Sequence, residues 1–82
     1  MRIWAKIIQD EKIIKDTVYE GEKGEEFFTA VSNICYSFDI ETPIILSSHI
    51  NNYDEFNQVK FRPTDFIDTF EFDALVLENA EL

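Results

Sequence analysis

An 82-residue chain with 17 Asp and Glu against 7 Lys and Arg has a formal net charge of −10, yet 45% of its residues are hydrophobic and 15% aromatic. That apolar content excludes the disordered class, which pairs high charge with low hydrophobicity, while the length accommodates one domain, one core and no deep enclosed substrate cavity. The sign of the charge disfavours direct binding of DNA, RNA or anionic lipid, because such affinity rests on Lys and Arg displacing counterions.

The first predicted element is a strand over Ile3–Ile8, in which Ile3, Ala5 and Ile7 form an apolar face and Arg2, Trp4 and Lys6 the other. A polar break at Gln9-Asp10-Glu11-Lys12 separates it from a second strand over Ile13–Tyr19, which makes a hairpin, although the break lacks the Asn-Gly or Asp-Gly pair that favours a tight turn. Gly21-Glu22-Lys23-Gly24 then changes the direction of the chain. A helix follows, with Glu25 and Glu26 expected in its first turn and Phe27, Val31, Ile34, Cys35 and Phe38 recurring on one face. Its other side carries Thr29, Ser32, Asn33 and Ser37, small and uncharged; a plain polar surface accounts for them, and a partner contact is the sharper alternative.

Glu41-Thr42-Pro43 closes the helical region, since the residue before proline is pushed to extended geometry. Ile44-Ile45-Leu46 reads equally as a buried strand or as the lead into a second, shorter helix over about 49–57, capped by Ser47 or Ser48, with Ile50, Tyr53 and Phe56 on one side. Val59 and Phe61 alternate across Lys60 for three extended residues, and Pro63-Thr64-Asp65-Phe66 predicts a single helical turn. The last strand is expected over Phe70–Glu78, where Phe70, Phe72, Ala74 and Val76 share one face and Leu75 and Leu77 the other, so that it belongs in a central or well covered position. The elements order as β-β-α-α-β, an α+β fold of one small sheet, hairpin plus C-terminal strand, packed by one long and one short helix in a single domain spanning residues 1–82. With the last strand beside the first, Glu71, Asp73 and Glu78 would lie near Arg2, Lys6 and Lys12.

Arg2-Ile3-Trp4-Ala5-Lys6-Ile7-Ile8, Thr42-Pro43-Ile44-Ile45-Leu46-Ser47, Asp65-Phe66-Ile67 and Phe72-Asp73-Ala74-Leu75 together resemble a family of short acidic bacterial proteins of uncharacterised function. The resemblance runs over nearly the whole chain. It implies a bacterial cytoplasmic setting and carries no activity and no functional residue.

Chemistry-bearing constellations are sparse. Any nucleophilic triad would have to use His49, the single histidine, and its neighbours Ser47 and Ser48 are adjacent in sequence without thereby being aimed at it. His49 is read as a surface or boundary side chain near a helix start. Cys35 lies within the apolar helix stripe, where a cysteine behaves as a small inert hydrophobe, and as the single cysteine it forms no internal disulfide. The carboxylates from Asp54 onward have neither the loop of a calcium hand nor a zinc-type spacing, and solvated acids account for them. No segment has the apolar run of a secretory leader or of a bilayer span. Together these features predict a cytoplasmic protein that is not an enzyme and uses no cofactor.

The function expected is that of an adaptor or regulatory module binding a basic protein surface, with Trp4, Tyr19, Tyr36 and Tyr53 as candidate aromatic anchors and Asp65, Asp68, Glu71 and Asp73 as candidate rim contacts. The alternatives are a DNA-mimic inhibitor of a nucleic-acid-binding enzyme, which needs carboxylates in rows at phosphate spacing, and a weak divalent-metal or small-ligand binder using His49 and the C-terminal acids. A homodimer through an unpaired sheet edge is a further expectation.

Overall fold

The structure, a computed structural model, describes residues 1–81. Its elements are β1 (Arg2–Gln9), β2 (Lys12–Glu20), α1 (Phe27–Ser37), α2 (Ser47–Phe56), β3 (Gln58–Phe61), a 3-10 turn at Pro63–Asp65, and β4 (Ala74–Asn79). The strands form one antiparallel sheet in the order β2-β1-β4-β3. The expected α+β single-sheet class is therefore observed, with the extended residues around Lys60 forming a fourth strand. The helices are nearly equal in length, at 11 and 10 residues.

The core follows from register. Ile7 pairs with Leu75 and Ala5 with Leu77 across β1 and β4, and Phe61 and Val59 pair with the same two leucines across β3 and β4. These six side chains and Ile3 share the face that the helices cover, and all are buried with Ala30, Val31, Ile34, Cys35, Phe38 and Phe66. Each large aliphatic side chain withdrawn from water contributes roughly 1.5–3 kcal/mol. β4 is central, as its two apolar faces require. Phe27 on α1 contacts Tyr53 on α2 with ring centroids 5.0 Å apart, which joins the two helices over the sheet.

Three local expectations are corrected. Glu25 and Glu26 do not occupy the first turn of α1: Glu26 is its extended N-cap, and Glu25 turns back to accept hydrogen bonds from the Glu22 backbone N–H at 3.0 Å and from the Tyr19 hydroxyl. Gly21 permits this fold-back, since a Cβ there would collide with the Glu25 side chain and the Tyr19 ring. Neither Ser47 nor Ser48 caps α2; Leu46 is the N-cap, and its backbone N–H donates to His49 Nδ1 at 2.9 Å. Finally, Phe70 and Phe72 lie before β4 rather than within it, because Asp73 ties the chain to the β1–β2 hairpin through its N–H to the Ile8 carbonyl (2.9 Å) and its Oδ2 to the Asp10 N–H (2.8 Å).

Candidate functional site

Phe70 and Phe72, left outside the sheet, join Phe66 to build the floor of a cleft. Phe66 and Phe70 stack nearly parallel, 4.2 Å between centroids and 5° between planes, and Phe72 meets Phe70 edge-on at 5.5 Å. Phe38 and Ile40, at the end of α1, complete the apolar lining of a cleft of about 380 Å³. Its rim holds Asp39, Glu41, Asp68 and Glu71 against a single base, Lys15. The Lys15 ammonium stands 5.9 Å from the centre of the Phe72 ring, an internal example of a cation over this aromatic floor.

The end of α1 adds to the negative field. The Asp39 N–H donates to the Tyr36 carbonyl and the Ile40 N–H to the Cys35 carbonyl, a Schellman closure in which Asp39 takes the left-handed position, φ 58°. Glycine suits that position best. A carboxylate there also faces the negative end of the helix dipole, and α1 has no basic residue in its last turn to offset it. Asp39 is thus unfavourable for the helix on two counts and favourable for a cation in the cleft.

The candidate residues from the sequence separate into distinct places. Asp68 and Glu71 come together on the cleft rim. Asp65 instead caps the 3-10 turn, accepting from the Arg62 N–H at 2.8 Å, and sits 3.6 Å from His49 Nε2; Asp73 serves as the hairpin tie. Tyr19 donates to Glu25 and accepts from Asn33 at 3.0 Å; the Glu25 hydrogen bond raises its phenol above the ordinary value. Tyr53 is half-buried against Phe27, and that burial likewise raises its phenol. Trp4, on the sheet face away from the helices, donates its indole N–H to Asp16 at 2.9 Å. Tyr36 alone of the four aromatics is open, 87% exposed on the outer side of α1 two turns from the exposed Phe28.

Asp39, Glu41, Phe38, Phe66, Phe70 and Phe72 were not singled out as a site by the sequence. The signal present was the alternation of Phe70, Glu71 and Phe72, which reads locally as a strand. His49 is corrected from a boundary side chain to a buried one: 8% exposed, packed 4.6 Å from the Phe61 ring and accepting the Leu46 N–H. With Nδ1 an acceptor, the neutral ring has its proton on Nε2, facing Asp65. Among the described residues no three His, Cys, Asp or Glu side chains converge to a metal-sized group, and no helix is long and apolar enough to cross a membrane.

Compared with protein-family models, curated proteins and solved structures, the chain matches none.

Proposed function

We propose that this chain is a non-enzymatic, acidic protein-interaction module of the bacterial cytoplasm that receives a Lys or Arg side chain of a basic partner in the cleft between the end of α1 and the 66–72 segment. The observation that carries this reading is the aromatic floor beneath four carboxylates at a helix C-terminus, one of them the left-handed Asp39. An aromatic floor attracts a cation through the ring quadrupole, more strongly as water is excluded, and the carboxylate rim steers its approach. The DNA-mimic alternative has less support, because Asp65 is engaged in a cap and Asp73 in the hairpin tie rather than presented in a row.

Calorimetric titration with an arginine-rich peptide and its glutamine counterpart tests the reading. Only the arginine peptide should bind with one-site stoichiometry in 0.15 M salt. Asp39→Gly should raise the stability of the free chain by about 1 kcal/mol, relieving the left-handed carboxylate, while weakening the peptide at least threefold. Asp68→Asn should weaken it similarly, and Asp54→Asn, on α2 and outside the cleft lining, should not. Equal loss at Asp54 and Asp68 would reduce the interaction to diffuse charge attraction and defeat the proposal.

A further inference from the structure

The helices cover one face of the sheet, and the other is open. Register places Arg2, Trp4, Lys6 and Ile8 of β1 on it, with Glu20, Val18, Asp16 and Ile13 of β2 opposite them, Glu78, Val76 and Ala74 of β4 on the other side, and Gln58 and Lys60 of β3 beyond. Three bases and three acids therefore share this face, and its net charge is zero. The other four bases and fourteen acids of the chain lie elsewhere, so the whole formal charge of −10 belongs to the rest of the molecule.

Five of the six charges on the open face are also tied down. Arg2 Nη2 stands 2.7 Å from Glu20, Trp4 holds Asp16, the Lys6 ammonium lies 4.0 Å from the centre of the Trp4 ring and 4.0 Å from Glu78. Between them runs an apolar band. Ala74 and Val76 are buried within it, Trp4 and Ile8 half-buried, and Val18 and Ile13 are 55% and 49% exposed.

We infer that this open face is a homodimer interface, closed by the same face of a second copy. Like-charge repulsion between two chains of charge −10 is least where their neutral faces meet. A basic partner is drawn to the rest of the surface, where the excess carboxylates lie. A second copy brings the matching surface, neutral and with Trp4, Ile8, Val18 and Ile13 still accessible to apolar contact, and two sheets stack in this way about 10 Å apart. Four strands about 4.8 Å apart and roughly six residues long make a plate of about 20 × 20 Å on each copy. That is below the standard interface of about 800 Å² per partner, so the dimer is a reversible association rather than an obligate unit.

Sedimentation equilibrium from 5 to 500 µM, at 0.15 and 1 M NaCl, gives the test. A monomer–dimer equilibrium is expected, held or strengthened at 1 M salt where the repulsion between the acidic sides is screened. The emission of Trp4, the single tryptophan, should move to the blue as the dimer forms. Val18→Glu, at a position already half-exposed in the monomer, should leave the melting temperature nearly unchanged and raise the dissociation constant at least tenfold. A chain monomeric at 500 µM, a dimer lost at 1 M salt, or a dimer indifferent to Val18→Glu would each overturn the inference; the last, with unmoved Trp4 emission, would assign association to the β2 edge instead. Because the cleft variants lie on the other side of the sheet, failure here leaves the peptide-binding result standing, and the reverse.

Discussion

Burial decides the chemistry of Cys35. Its thiol lies wholly inside the core, and the loss of water pushes its pKa from 9.0 up to about 12. A raised pKa favours the neutral thiol, so the contribution to stability is complete below about pH 9 and disappears as pH rises toward 12. Native protein at pH 8 should therefore resist a thiol-exchange reagent for hours and react within minutes in denaturant. Rapid labelling under native conditions would mean that the core opens locally at α1. The burial of Cys35 was legible from its place in the apolar stripe. That of His49 was not, since its burial depends on Phe61, twelve residues away in sequence, and on a backbone N–H at Leu46 that no composition rule assigns to an imidazole.

Among the elements, the β1–β2 hairpin was legible from two alternating segments and a short polar break, and its turn was not. Gln9 pairs with Lys12, leaving Asp10 and Glu11 as a two-residue loop, both with positive φ, 52° and 64°. This is the sign pattern of the type I′ turn, which matches the twist of the strands and prefers Asp-Gly. Glu11→Gly should stabilise the chain by about 0.5–1 kcal/mol, the relief of a left-handed side chain less the entropy glycine loses on folding. A denaturant midpoint that is unchanged or lower would show that the Glu11 side chain makes a contact of greater value. The C-terminal segment illustrates the opposite limit. Alternation over 70–78 predicts one long strand, but pairing with β1 starts at Ala74 and the tie at Asp73 releases Phe70 and Phe72 to stack with Phe66. Local periodicity does not distinguish aromatics that line a sheet from aromatics that line a cleft beside it.

At the scale of the whole molecule, extents of 32 × 23 × 22 Å bring every carboxylate within reach of most others when salt is low, where the Debye length is about 30 Å at 0.01 M. Most carboxylates lie outside the few ion pairs of the described residues, so repulsion outweighs attraction in the folded state. The melting temperature should rise by several degrees between 10 and 300 mM NaCl, since about 1 kcal/mol corresponds to 4–8 °C for a domain of this size. A fall would show that specific ion pairs, Arg2–Glu20 foremost, carry more of the stability than their exposure suggests.

The sequence by itself determined the fold class, the placement of Ile3, Ala5 and Ile7 in the core, the buried face of α1 and the excess of negative charge, because each is carried by local periodicity or by simple composition. Tertiary structure alone decided which carboxylates gather at the end of α1, which become caps, and that the open sheet face is electrically neutral. Those outcomes depend on the register between β1, β2, β4 and β3 and on backbone ties such as Asp73 to Asp10, which join residues far apart in the chain. Strand pairing assigns each charge to a face, and a shift of one residue would move it to the other.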